Sequence, residues 1–290
     1  MGGVGISRLG GKCRLVKQLL QYIPARYEFF LSLFCGACWF ELNIPRAMRY
    51  EMWNDKDGEL INYLSVIKEK YKEYHDRLEE KQIYYLYSQE LFRKILTGEL
   101  KPKDDIDRAI FFRYINKCSR PGCNLNYSDV TVKYYNINMK TTRLYTNNDK
   151  GLTKKIKPEI IERMKYVVHT SLPFQKAYEK FSSVLEKNDI IDSVFIYIDP
   201  PYYKKERIYT FTEDDVDDLI ELIKSSPYKI MLSINDCDRY RVSLNNFNIY
   251  TVTANYQICS YHQIKRKELL ILNYKPSKNQ KQELKQKKMF

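Results

Sequence analysis

The sequence contains no apolar stretch long enough to span a bilayer. Its opening, MGGVGISRLGGKCR, lacks the apolar core and small-residue cleavage site of a signal peptide. Ile6 stands where an N-myristoylation signal wants Ser or Thr. These absences argue against a membrane or secreted protein, and the expected location is the cytoplasm. Regularly spaced cysteines are also missing: the 7 present are an odd number, which fits reduced thiols better than a disulfide framework. Cys35-x-x-Cys38 and Cys118-x4-Cys123 have no His beside them, so no metal site is expected. His75, His169 and His262 are scattered and carry no assigned chemistry. Gly10-Gly11-Lys12-Cys13 fails as a phosphate loop, with Ile6 where the first glycine belongs and Cys13 where a magnesium-binding hydroxyl should be. No internal repeat is visible.

What remains is a basic, globular chain. Its 290 residues, 44% of them apolar, can bury a substantial core, and a net charge of +13 suits a polyanionic partner such as nucleic acid. Charge alone is weak support, because Lys, Asn, Ile and Tyr are abundant together, as AT-biased codons would make them.

Helix and strand periods alternate at both ends. Residues 12–22 read as a short helix, and Tyr27 to Phe34 and Arg49 to Trp53 as strands. Leu60, Leu64, Ile67, Tyr71, Tyr74 and Leu78 then fall on one face of a long helix. Further strands are expected at Val194 to Ile198, Ile230 to Ile234, Asn248 to Thr253 and Glu268 to Asn273. Thr212 is the expected N-cap of a helix reaching Ser225. Continuous apolar strands between amphipathic helices imply an α/β sandwich with a mostly parallel sheet. From about Tyr74 to Lys157 the pattern is helical and then irregular, rich in Asn, Lys, Arg and Tyr, as expected of an insertion. The stretch 275–290 reads as a basic, disordered tail.

Three polar clusters stand at strand ends, where open α/β sheets bind ligands. After the first strand comes LFCGA, in which Gly36 lets the backbone turn tightly against a ligand; after the second comes WNDKDG, in which Asp55 could hold the hydroxyls of a ribose. An adenosine-bearing cofactor fits both. After Val194 to Ile198 comes Asp199-Pro200-Pro201-Tyr202, a rigid turn because each proline restricts φ and Pro201 also restricts Pro200. The Asp199 carboxylate and the Pro200 carbonyl are two acceptors, and Tyr202 a flat ring beside them. An aromatic amine requires that combination.

DPPY, with Gly10, Gly11 and Lys12 near the start, FCGA, NDKDGELIN, AIFFRYINK, MLSIND and KELLILNY in this order, resembles the Dam-like class of DNA adenine-N6 methyltransferases in its phage and prophage forms. The resemblance covers nearly the whole chain. It implies a Rossmann-like S-adenosylmethionine-dependent methyltransferase sheet, discontinuous over 1–73 and 158–274, with a mainly helical target-recognition domain inserted at 74–157. It also implies that Arg8, Gly10, Gly11, Lys12, Phe34, Gly36 and Asp55 contact the S-adenosylmethionine cofactor, and that Asp199, Pro200, Pro201 and Tyr202 receive the adenine. Double-stranded DNA is the implied partner, with base flipping and a link to restriction-modification. The oligomeric state, monomer or weak dimer, is left open. The family usually reads acid-Pro-Phe-x-Gly-x-Gly after the first strand; here Ser32 replaces the acid and Cys38 the last glycine. By acceptor geometry alone, the cytosine exocyclic amine, an RNA amine or a catalytically silent DNA-binding protein are alternatives.

Overall fold

The computed structural model describes residues 3–6, 8, 11–80, 89–118, 155–185, 188–202, 211–259 and 262–276. Gly10, most of the expected insertion and most of the basic tail lie outside them. In chain order the elements are α1 Val16–Leu19, β1 Phe29–Ser32, β2 Tyr50–Asn54, α2 Gly58–Glu69, α3 Tyr71–Glu80, α4 Gln89–Leu96, α5 Asp105–Cys118, α6 Pro158–Met164, β3 Val168–Thr170, α7 Phe174–Val184, β4 Val194–Ile198, α8 Glu213–Ser225, β5 Lys229–Asn235, α9 Asp238–Ser243, β6 Asn248–Cys259 and β7 His262–Leu272. The fold is mixed α/β. Two compact units divide it: Met1–Gly11, Gly36–Leu42 and Asp55–Ser171 form the first, and Lys12–Cys35, Asn43–Asn54 and Leu172–Phe290 the second.

The second unit carries β2-β1-β4-β5-β7-β6 in that order. β1 pairs in parallel with β2 and with β4, and β4 in parallel with β5. β7 runs antiparallel to both β5 and β6, so the expected parallel sheet ends in a hairpin edge. Alternation along the strands separates two faces. One presents Leu31, Ile196, Ile198, Leu232, Ile234, Leu269 and Ile271 to Phe174, Ala177 and Phe181 of α7 and to Val216, Leu219, Ile220 and Ile223 of α8, forming one buried cluster. The other carries the tilted ring pair Phe30 and Phe195, with centroids 5.4 Å apart. Thr212 caps α8 as the sequence suggests: its hydroxyl accepts from the Asp215 N–H, and the Asp215 carboxylate returns to the Thr212 N–H.

The first unit is built mainly of helices. α5 is buried nearly all round, from Ile106 to Cys118, and packs on α2. Within it the buried Arg113 donates to the Tyr63 hydroxyl at 2.9 Å, which in turn donates to the Val4 carbonyl at 2.6 Å. The left-handed Gly5, at φ +82°, stands against this guanidinium, where a Cβ would meet Arg113 Nη1 at 2.2 Å.

Several elements depart from the sequence reading. The expected helix over 12–22 is a 3₁₀ turn, Lys12–Arg14, followed by the short α1. The long stripe from Leu60 to Leu78 is divided between α2 and α3 at Lys70, with no glycine or proline to mark the break. The ladder of β6 and β7 extends beyond the strands expected from the sequence, through the pairs Ala254↔Arg266 to Gln257↔Gln263, where Lys265 and Arg266 interrupt the apolar pattern of β7.

Candidate active site

In the second unit the strand order reverses between β1, which is followed by β2 on one side, and β4 on the other. Such a switch point opens a crevice beyond the carboxyl ends of the two strands. Leu33 continues from β1 there, its N–H bonded to the Tyr197 carbonyl at 3.1 Å, and Asp199 to Tyr202 continue from β4. Asn54, the last residue of β2, ties this edge together: its amide donates to the carbonyls of Leu33 and Leu172, each at 3.0 Å, and accepts from the Leu172 N–H at 3.1 Å.

A buried charge cluster sits at this edge. The Lys12 ammonium donates to Asp199 Oδ1 at 2.9 Å, to Glu268 Oε2 at 2.8 Å and to the Tyr202 hydroxyl at 2.9 Å. An ammonium has three N–H groups, so each has a protein acceptor. The Tyr202 hydroxyl donates onward to Glu268 Oε1 at 2.7 Å, and the Ser233 hydroxyl stands 3.4 Å from Glu268 Oε2. Lys12 and Glu268 are almost sealed from water, with 2% and 3% of their side chains exposed, whereas Asp199 keeps 19%. Burial by itself would push the Lys12 pKa down; the charge of Asp199, with Tyr202 and Glu268, overrides it and holds the value well above the usual range. Burial raises the Tyr202 phenol, so it remains a donor at neutral pH. Among these contacts one ammonium faces two carboxylates.

The first unit holds a second cluster. Asp55 Oδ2 accepts from the Gly36 N–H at 2.9 Å, and Oδ1 from the Asp57 N–H at 3.0 Å and from Arg8 Nη1 at 3.4 Å. Arg8 also pairs with Asp57, whose other oxygen caps α2 through the N–H groups of Glu59 and Leu60. Burial raises the Asp55 pKa, and Arg8 and the two backbone N–H groups oppose the rise. Gly36 has φ +49° and Cys38 φ +55°; Cys38 is the non-glycine residue that takes the left-handed conformation among the described residues. The chain therefore keeps, with a cysteine, the backbone shape that glycine at this position would adopt freely. Gly11 closes a turn onto the Arg8 carbonyl, where a Cβ would come within 3.0 Å of that oxygen.

Asp199, Pro200, Pro201, Tyr202, Lys12 and Phe34 thus belong to the second unit, and Arg8, Gly11, Gly36 and Asp55 to the first. Gly10 lies outside the described residues. Phe34 packs against the rings of Phe174 and Phe211, with centroids 5.6 and 5.9 Å away. The sequence reading quoted WNDKDG and KELLILNY but assigned no role to Asn54, Asp57 or, above all, Glu268 within them. An acid opening the apolar run ELLIL was the available signal, since a carboxylate among strand-core residues requires a buried partner.

The comparison with protein families decides the class. A family model for the D12 class N6 adenine-specific DNA methyltransferases matches residues 9–258. The chain belongs to this family. No curated protein sequence matches it. A D12 class enzyme transfers a methyl group to the N6 amine of adenine in DNA, so adenine, not cytosine, is the base, and a methyl donor is implied. Among the described residues no helix is long and apolar enough to cross a membrane.

Proposed function

We propose that this D12 class chain uses S-adenosylmethionine to methylate adenine in double-stranded DNA at a specific short sequence, with the Asp199–Tyr202 turn as the amine-binding site. S-adenosylmethionine supplies, when bound, a methyl group activated by its sulfonium. The charges on this chain suit that transfer: an amine gaining positive charge is favoured where two carboxylates face one ammonium. On the donor side we assign Arg8, Gly10, Gly11, Lys12, Phe34, Gly36 and Asp55. Asp55 organises the Gly36 turn, and of its roughly four lone-pair positions Gly36, Asp57 and Arg8 engage most. One ribose hydroxyl donating to what remains fits this arrangement better than two.

On the acceptor side, Asp199 and the Pro200 carbonyl receive the two N–H groups of the amine. An aromatic amine is a poor nucleophile while its lone pair is delocalised into the ring. Two acceptors favour a pyramidal nitrogen, and their attraction grows as charge develops there. Tyr202, held by its hydroxyl, offers a ring for stacking the flipped base, since N6 is not reachable inside a duplex. The segment 74–157 is assigned to target recognition, and the cytoplasm, with access to DNA, as the place of action.

The observation that carries this reading is the DPPY turn at the β1/β4 switch point, with Asp199 fastened to the buried Lys12. Incubation with labelled donor and duplex DNA, digestion to nucleosides and identification of the methylated base tests it; N6-methyladenine is expected. Label on no base, despite tight DNA binding, would refute it. Asp199→Ala is expected to abolish transfer while DNA affinity stays within about threefold, because phosphate contacts dominate binding.

A further inference from the structure

Glu268 lies on β7, beyond the span matched by the family model, yet it is built into the reactive corner. It faces Asn235 across the β5/β7 ladder, and its two oxygens take the Lys12 ammonium, the Tyr202 hydroxyl and the Ser233 hydroxyl. A carboxylate this deeply buried is a costly way to hold a fold together, since well-packed apolar side chains of similar volume serve stability as well or better. Its charge therefore calls for a reason other than packing.

The reason lies in what Lys12 would do alone. An ammonium 2.9 Å from Asp199 drains the negative charge that the amine site needs, and the two together are neutral. Glu268, 2.8 Å from the same ammonium, cancels it. We propose that Glu268 is a positioning residue for methyl transfer: it offsets the Lys12 ammonium and locks the Tyr202 hydroxyl, so that Lys12 withdraws less of the Asp199 charge from the reacting amine. This inference rests on the adenine-methyltransferase reading and adds to it a residue that neither the DPPY motif nor the matched span contains.

The mechanism separates charge from shape. Glu268→Gln keeps the outline and an acceptor oxygen but removes the charge; Glu268→Asp keeps the charge on a shorter stem. Single-turnover methylation, which reads the chemical step without product release, is expected to slow by roughly 10- to 100-fold in the Gln variant, on the scale of losing one preorganised electrostatic contact. Donor affinity by equilibrium dialysis and DNA affinity are expected to stay within about threefold of wild type, because the contribution grows only as charge develops. The Asp variant is expected to be faster than the Gln variant. A Gln variant as fast as wild type, an Asp variant slower than Gln, or a loss confined to donor affinity overturns the proposal. If the Gln chain does not fold, Tyr202→Phe tests the same link from its other end: the chemical step must slow with donor affinity unchanged, and an unchanged rate overturns the proposal. A wild-type chain that forms no N6-methyladenine defeats the proposed function and this inference together, whereas an active wild type with a fully active Gln variant defeats only the role of Glu268.

Discussion

Replacing Lys12 by Met removes the cation at the centre of the buried charge cluster. The ammonium has three acceptors, and Glu268, with 3% of its side chain exposed, is left with a charge that water cannot reach. Breaking a buried pair from one side costs about 3–5 kcal/mol, because the surviving charge stays desolvated. Glu268→Gln alone is milder, about 1–3 kcal/mol, since Lys12 keeps Asp199. In the double variant neither Lys12 nor Glu268 is charged, and Asp199, with 19% of its side chain exposed, is the carboxylate that remains. The double loss is therefore expected to fall short of the sum by about 2 kcal/mol, a coupling well above the ~0.5 kcal/mol scatter of independent sites. Urea unfolding followed by tryptophan fluorescence measures it. The chain has 2 tryptophans. Trp39 is in the first unit and the fully buried Trp53 in the second, so a Trp39→Phe background reports the unit that contains Lys12. The same cluster sets an alkaline limit. The Lys12 pKa is raised, so its stabilisation is complete below the ordinary lysine value of about 10.5 and is lost as pH rises through the folded value. Wild type is expected to lose stability more steeply than Lys12→Met above that pH. A loss under about 1 kcal/mol in Lys12→Met, or additivity within scatter, would show that the ion cluster is not a coupled unit and would refute the reasoning.

Three further outcomes are expected. At Cys38, whose φ of +55° costs an L-residue about 1–2 kcal/mol, Cys38→Gly should be more stable than Cys38→Ala by about 0.5–1 kcal/mol; thermal melting gives the order, and Ala above Gly contradicts the assigned conformation. His169 is pushed down to about 3, first by burial and then by Lys68, so the folded state resists its protonation and stability falls as pH drops from about 6.5 toward that value. The slope cannot exceed about 1.4 kcal/mol per pH unit, and His169→Gln should flatten it between pH 6.5 and 5, with parallel profiles as the contrary result. Thr212→Ala removes the side-chain half of the α8 capping box and should cost about 1 kcal/mol in urea unfolding; no change would mean that the cap is dispensable.

Periodicity and turn chemistry alone placed β4 at Val194–Ile198 and the Thr212 cap of α8, because these depend on neighbours within a turn or a strand. The DPPY turn was legible for the same reason: two prolines restrict the backbone wherever they occur. The break between α2 and α3 and the full length of the β6–β7 hairpin were not legible, since polar sequence adopts either shape and only packing or a paired ladder selects one. Glu268 shows the difference most clearly. It is 256 residues from Lys12 in the chain, and although its place at the head of ELLIL marks it for burial, nothing local names its partner. Only the sheet, by bringing β7 beside β5 and closing Lys12 over it, made that acid part of a charge cluster, because electrostatic partnership depends on distance in space and exclusion of water.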